Sequence, residues 1–341
     1  MTHEREITTA VDLCDAHGRL NEAARGWSRR PLHRANLRGS RGRKKRWDYW
    51  CVISEDIVVT LTYADVDYLG LASLWVLDQA TGEQAGGQFM VPFGLGFDLP
   101  DDPCTGTMRA SGRGLELEIR ERSTATHLTA ASVRKGSPSI AVDIVIDKPA
   151  DHDTMNVVIP WTSRRFQYTS KHTARPAVGS VTVGPRTWTF GPASRAFGVL
   201  DLGRGIWKYS NRWNWAAASG QADDGAIVGL QFGGKWTDGT GFTENALCID
   251  GHLTKIGEEL EWTYSWDDPM QPWRVRTTRS DQVDVTLTPM FDRHDRTSLG
   301  ILSMEVHQCF GTWSGRVAGE DGTIRRVDGL RGFAEEARNR W

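Results

Sequence analysis

Gly114-Leu115-Glu116-Leu117-Glu118-Ile119-Arg120 alternates apolar and charged side chains one for one. A helix would scatter Leu115, Leu117 and Ile119 around its axis. A strand has a period of two, so it puts all three on one face and leaves Glu116, Glu118 and Arg120 in water. The same reading extends along the chain in both directions. Trp47–Ile53, Ile57–Tyr63, Gly70–Leu77, Thr126–Val133, Ser139–Ile146 and Asn156–Pro160 are short apolar or alternating runs bounded by Gly, Pro, Asp or Ser. The second half repeats the style, from Ser180–Val183 and Ala196–Asp201 through Ala226–Phe232 and Glu244–Ile249 to Gln282–Pro289 and Ser303–Thr312. Asp238-Gly239, Asp250-Gly251 and Asp321-Gly322 supply tight turns between runs. This spacing is that of antiparallel barrels or sandwiches, and the expected fold class is all-β.

Helical signals are few. Asp12–Ala24 reads as partly helical despite Gly18, and Ala216–Ala218 favour one helical turn within Trp213–Ser219. The segment from Phe333 to Trp341 reads as a short amphipathic helix. Trp161–Pro176 has weak apolar periodicity and many polar groups, so it reads as a crossover between two β-rich halves, 1–165 and 166–341.

The 341 residues are 39% hydrophobic and 25% charged, with a formal net charge of -2. That is a globular composition without a field to attract nucleic acid. One basic cluster, Arg38 to Arg46, reads as a solvated connection before a strand or as a contact for phosphate or an anionic surface. Five dispersed cysteines form no Cys-x-x-Cys pair, which leaves zinc and redox motifs unsupported and fits a reducing cytoplasm. Met1–Ala10 lacks the apolar segment of a secretion signal, and no apolar run approaches the length of a spanning helix. Phosphate-loop, Gly-x-Gly-x-x-Gly, Gly-x-Ser-x-Gly and His-Glu-x-x-His motifs do not occur, so no organic cofactor and no metal is expected. In Asp292-Arg293-His294-Asp295-Arg296 neighbouring side chains point to opposite strand faces, which disfavours a shared metal. Oligomeric state has no sequence signal.

The 15 tryptophans are many for this length. Three of them fall in Gly203–Gly220, where Trp207, Tyr209, Trp213 and Trp215 mix with Arg204, Lys208, Asn211, Arg212 and Asn214. Aromatic faces among amides and guanidiniums suit a pocket wall or an internal polar network. Three places offer acids. Glu244 opens an apolar strand and is followed by Asn245; it is either a buried general acid or a strand-end carboxylate bonding turn amides. Glu305 and His307 share one strand face with Cys309, opposite Met304, Val306, Gln308 and Phe310, either as an acid–base pair or as a structural histidine. Trp47 and Tyr49 share a face, and Asp48 and Trp50 the other, which makes Asp48 beside Trp50 a second candidate acid if that face turns inward.

Trp47-Asp-Tyr-Trp50, Arg165-Phe-Gln-Tyr-Thr169, Gly203–Gly220, Thr243-Glu-Asn-Ala246, His307-Gln-Cys-Phe-Gly311 and Gly332-Phe-Ala-Glu-Glu336 together resemble the domain-of-unknown-function family numbered 2804. That family is distantly similar to the two-domain lipocalin-like group that includes carotenoid 1,2-hydratases and, more widely, some fungal pericyclases. The resemblance implies two lipocalin-like barrels or strongly curved sheets side by side, an apolar cavity, and chemistry on a hydrophobic molecule without an organic cofactor. Where the hydratase branch has an acidic residue after its tryptophan, Trp207 is followed by Lys208 and Tyr209. The expected activity is an acid-catalysed lyase or isomerase of hydratase or dehydratase type, acting on an apolar, isoprenoid or polyketide-like molecule. Glu244, then Glu305 and His307, would be proton donors. Trp207, Tyr209, Trp213 and Trp215 would form a cation-stabilising wall, with Asn214 and Asn245 orienting water. The rival expectation is a non-catalytic carrier for a hydrophobic small molecule, and a third is a structural protein whose tryptophans fill its core.

Overall fold

The structure, a computed structural model, describes residues 4–191, 194–299 and 302–340. Three two-residue strands lie in the N-terminal segment: β1 (Val11–Asp12), β2 (Trp27–Ser28) and β3 (His33–Arg34). The first large sheet then takes β4 (Lys44–Ile53), β5 (Ile57–Asp65), β6 (Leu69–Asp78), β7 (Gln84–Pro92), β8 (Thr107–Gly112), β9 (Leu115–Glu121), β10 (Ala125–Ser132), β11 (Ile140–Asp147), β12 (Met155–Thr162), β13 (Arg165–Val183), β14 (Arg186–Phe190) and β15 (Phe197–Ile206). The second takes β16 (Ser210–Gln221), β17 (Ile227–Gly234), β18 (Ala246–Ile249), β19 (His252–Lys255), β20 (Glu261–Thr263), β21 (Trp273–Arg276), β22 (Val283–Leu299), β23 (Leu302–Ala318) and β24 (Ile324–Arg340).

The first sheet has 13 strands and runs β7-β6-β5-β4-β15-β13-β11-β10-β9-β8, with β12 and β14 on β13 and β2 on β12. It curls into a nearly closed barrel, whereas the nine strands of the second, β19-β18-β17-β16-β24-β23-β22-β21-β20, form a half-barrel. Long-range pairing is antiparallel throughout both. The all-β expectation of two strongly curved, lipocalin-like sheets therefore holds. The alternation of β9 sorts its side chains as expected: Leu115, Leu117 and Ile119 are buried inside the first barrel. Burying three such side chains stabilises the fold by roughly 6 kcal/mol.

Four local expectations are corrected. Asp12–Ala24 is helical only in the 3-10 turn Glu22–Ala24, which Asn21 caps by accepting from Ala23 N–H. Trp213–Ser219 lies within strand β16, and Phe333–Arg340 within β24; Trp341 is outside the described residues. Helix propensity separates alanine from other residues by tenths of a kcal/mol. Here it loses to a continuous ladder, in which β16 pairs with β17 on one side and β24 on the other. Ala216 and Ala218 are small because they face the crowded interior that holds Phe232, Trp273 and Trp313. The supposed crossover at 161–176 is mostly strand. β13 has 19 residues, and its first half pairs with β12 and β15 while its second half pairs with β11 and β14. The expected division at 165/166 falls at the start of this strand, within the first sheet; the division into halves 1–165 and 166–341 is kept as a proposal.

Each sheet encloses its own apolar core. A third cluster joins their outer faces: Cys51, Ile53, Val58, Trp75 and Val199 of the first meet Trp215, Ala217, Phe310 and Phe333 of the second. Trp75 stacks on Phe310 there at 5.5 Å. Among the described residues no helix is long and apolar enough to cross a membrane.

Candidate functional site

Strand alternation sorts side chains between barrel interiors and the seam between the sheets. On β13, Phe166 and Tyr168 point into the first barrel while Gln167, Thr169 and Lys171 point into the seam. On β4, Trp50 points in and Trp47 and Tyr49 point to the seam. The second sheet answers with Trp213 and Trp215 of β16, Met304, Val306 and Gln308 of β23, and Glu335 and Ala337 of β24. Together with Asp201, Trp207, Trp236 and Glu244 they bound a cavity of about 290 Å³. Indole rings pack together along one wall: Trp207 contacts Trp47 at 5.6 Å, Trp161 at 5.1 Å and Trp213 at 5.9 Å, and stacks on Trp236 at 6.0 Å.

Polar groups in this aromatic wall are few and mostly cross-linked. Trp207 Nε1 donates to Gln167 Oε1 at 2.7 Å, Trp236 Nε1 to Glu244 Oε1 at 2.7 Å, and Trp213 Nε1 to Glu335 Oε1 at 2.7 Å. Gln308 Nε2 donates to Glu335 Oε2 at 2.9 Å, and Tyr49 OH donates to Gln308 Oε1 at 3.2 Å. The Lys171 ammonium sits 2.8 Å from Asp201 and 3.4 Å from Glu244, and 4.3 Å from the centre of the Trp215 ring. One buried atom of this wall, Gln167 Nε2, has no hydrogen-bond partner among the described residues, and Glu244 Oε2 is met only by the Lys171 ammonium at 3.4 Å. Such atoms are costly unless something polar meets them.

The electrostatics follow from burial. Desolvation pushes the Glu335 carboxyl up to about 7, with Asp201 adding to the rise, and the Trp213 hydrogen bond and the Lys171 charge opposing it. Desolvation also raises Glu244, against the pull of Lys171. Burial acts to lower Lys171, but Asp201 and Glu244 outweigh it and the ammonium is held above its ordinary range. The cavity thus holds a firm cation, a Glu335 carboxyl poised to carry a proton near neutrality, and a Glu244 carboxyl whose proton affinity burial raises.

Glu244, Trp207, Trp213 and Trp215 among the sequence-derived candidates line this cavity. The others do not. Asp48 is buried inside the first barrel, 2.6 Å from Arg204, and Trp50 lies in that barrel's core edge-on to His172. Asn214 points into the second barrel and donates to Tyr264 OH at 3.0 Å. Asn245 is a structural clasp: its Oδ1 accepts from Gly233 N–H and its Nδ2 donates to the Glu258 carbonyl. Tyr209 is exposed at the end of the first sheet, beneath the Arg43 guanidinium at 5.7 Å.

Glu305 and His307 occupy the face of β23 that turns away from the cavity. His307 Nδ1 is 2.7 Å from Asp292 Oδ2, and Glu305 is 3.2 Å from His294. His294, Glu305 and His307 bring three ligand-type atoms within 4.8 Å, a cross-strand grouping that the adjacency argument did not foresee. The imidazoles stack nearly parallel, 8° apart at 4.1 Å, so their in-plane lone pairs run side by side and do not converge on one ion.

Sequence reasoning missed Glu335, Gln308, Lys171 and Asp201. Gln308 had been placed on the right face of its strand, opposite His307. Glu335 was hidden by the helical reading of its segment, because a period of two is what separates Glu335 in the cavity from Glu336. The latter faces the second barrel instead, where Lys235 at 2.9 Å, Arg212 at 3.0 Å and Arg338 at 2.7 Å hold its carboxylate. Gly233 is also part of the site, since a methyl group there would overlap the Glu244 carboxylate. Gly233→Ala is expected to cost about 1–3 kcal/mol; a urea midpoint equal to the parent's would refute that packing.

The chain belongs to the family described as Domain of unknown function (DUF2804), whose model matches residues 4–341. Among solved structures it is similar to kievitone hydratase from Nectria haematococca, at 12% identity and a TM-score of 0.51, covering 88% of this chain and 89% of that one. A candidate AttH from Nitrosomonas europaea matches at 11% identity and 0.50, covering 86% and 92%. CghA solved with Sch210972 matches at 12% and 0.46, covering 87% and 88%. At these identities the DUF2804 chain shares a fold with kievitone hydratase and the AttH candidate, and no curated protein matches its sequence.

Proposed function

We propose that the cavity binds an apolar small molecule carrying at least one hydrogen-bonding oxygen, and that the protein is a cofactor-independent lyase or isomerase acting by acid catalysis. One observation carries the reading: two buried carboxyls with raised proton affinity, Glu335 near 7, face an indole-walled cavity. An apolar wall supplies the affinity, and few polar groups set the orientation. The unpartnered Gln167 Nε2 would donate to the ligand's oxygen, and Glu244 Oε2, met only by Lys171 at 3.4 Å, would accept from it. A carboxyl near 7 is partly protonated at neutral pH, so it can give a proton and take one back.

In the hydration direction the carboxyl proton goes to one alkene carbon, the π pair of the double bond becomes the new C–H bond, the O–H pair stays on the carboxylate, and the other carbon is left positive. Water then attacks the other carbon and loses a proton to the carboxylate, so one water is added and the acid is regenerated. The faces of Trp47, Trp207 and Trp213 would stabilise the passing positive charge. The Trp215 face is less suited, because Lys171 already lies over it. Kievitone hydratase is by name a hydratase, but a shared fold alone transfers no activity; the carboxyls support the reading.

The test starts from the purified protein. Solvent extraction and mass spectrometry identify a retained apolar compound, which is then returned to the protein and followed for gain or loss of one water, or for altered retention at unchanged mass. Glu335→Gln and Glu244→Gln are each expected to slow turnover by about 10²–10⁴-fold. Undiminished turnover in both would end the acid roles. Recovery of the compound unchanged under all conditions would favour a carrier, which needs the same cavity and no proton donor.

A further inference from the structure

The cavity sits at one end of the first sheet, and antiparallel pairing fixes which loops share that end. The start of β4, the β5–β6 turn, the end of β7 and the end of β15 all come together there, since Arg46 pairs with Asp65, Leu69 with Pro92 and Ile206 with Lys44. Cavity residues of the same strands, among them Ala64, Val66, Leu71 and Met90, lie beside this end. Directly beyond Met90 the chain continues into Phe93 and Leu95, which are 74% and 69% exposed. Large apolar side chains this exposed, next to one another and at a cavity rim, call for an explanation.

Their neighbours are basic. Phe93 N–H donates to the Tyr68 carbonyl at 2.8 Å, and the Lys45 ammonium lies over the Tyr68 ring at 4.2 Å. The loop 38–42 joins the other side of the same turn through Gly42 and Asp67. Arg38 and Arg41 on it are exposed. From β4 to β7 is three strand spacings, about 15 Å, so arginines and apolar tips share one rim. The acids of this turn are already engaged: Asp65 with Arg46, and Asp67 with Lys44. Exposed Asp98 follows the inward-turned Phe97. Tyr209 and Lys208, at the end of β15, complete the rim, with the Arg43 guanidinium over the Tyr209 ring.

We propose that this rim docks on an anionic lipid surface. Phe93 and Leu95 enter the interfacial region, Tyr209 sits at headgroup level, and Arg38 and Arg41 lie against lipid phosphates. The cavity then opens towards the phase in which an apolar ligand dissolves. This last point rests on the proposed cavity function, whereas the docking does not. It also gives the basic cluster an occupant of matching charge.

Vesicle sedimentation tests it with the intact protein and no substrate. The protein is expected to pellet with phosphatidylcholine vesicles containing roughly a third phosphatidylglycerol, less at high salt, and little with phosphatidylcholine alone. Arg38→Gln with Arg41→Gln should weaken partitioning about five-fold per charge. Phe93→Ser with Leu95→Ser should weaken it by at least about ten-fold. All four positions are exposed, and unchanged melting confirms that the variants fold. No pelleting at low salt, or equal pelleting of the variants, overturns the proposal. So does a concentration-dependent dimer abolished by Phe93→Ser, which would assign the patch to a second copy. Pelleting without turnover of any ligand would leave the docking standing and count against the cavity chemistry.

Discussion

Glu335→Gln is expected to make the protein more stable at pH 8, by about 3 kcal/mol, and to leave it nearly unchanged at pH 4. Burial lifts this carboxyl from 4.5 to about 7. Between those values the folded protein keeps a proton that the unfolded chain has released. Stability therefore falls as pH rises through that window, by about 1.4 kcal/mol per unit, and the contribution is fully present only below 4.5. Glutamine has no proton to lose, so the difference between variant and parent grows from pH 4.5 to 7 and is flat above. Gln308 can accommodate the change by turning its amide, accepting from the new Nε2 and donating to Tyr49 OH. Urea denaturation of both proteins at several pH values measures the difference directly, since other titrating groups cancel. A variant no more stable than the parent at pH 8 would mean that Glu335 ionises freely. Stabilisation together with lost turnover is the pattern of an acid kept where it works against the fold.

Lys171→Met is expected to destabilise by about 3–5 kcal/mol at neutral pH. The ammonium is 5% exposed and is the nearest cation to both Asp201 and Glu244. Without it the buried Glu244 carboxyl faces the charge of the half-buried Asp201 with no cation between them, and holding Glu244 ionised becomes more costly. The loss should shrink as pH falls, because protonation relieves the repulsion in the variant. Denaturation at pH 5 and pH 7.5 separates this from simple packing loss, which would be the same at both. Lys171→Arg, which keeps the charge, should recover a large part of the stability. A pH-independent deficit would refute the electrostatic account.

The barrel fold was legible because its strands alternate, and alternation needs no partner to be read. Leu115 to Arg120 declares a strand with one wet face, and the structure agrees. Trp47 to Trp50 declares a strand equally well, but both of its faces are covered, one buried in a barrel and one half-buried against the second sheet. Local sequence cannot say which buried face is core and which is cavity, so Asp48 and Trp50 were chosen where Trp47 and Tyr49 line the site. Glu305 and His307 went astray for the same reason, one position from Gln308. Ala334-Glu335-Glu336-Ala337 failed differently. Its composition is good helix, and only the ladders from β16 and β23 on either side override that preference. Glu244 was found because a carboxylate beside an apolar strand stands out whatever the partner.

Strand β13 carries the barrel interior on one face and the cavity on the other, with Tyr168 between Gln167 and Thr169. For an evolving lineage this separates two kinds of change. A substitution at 167, 169 or 171 alters what the cavity accepts and leaves the interior face untouched. A single inserted or deleted residue exchanges every side chain between the two faces, placing Lys171 in a hydrocarbon core and Tyr168 in the site. Ligand preference can therefore drift quickly through identity while the length of this strand stays frozen.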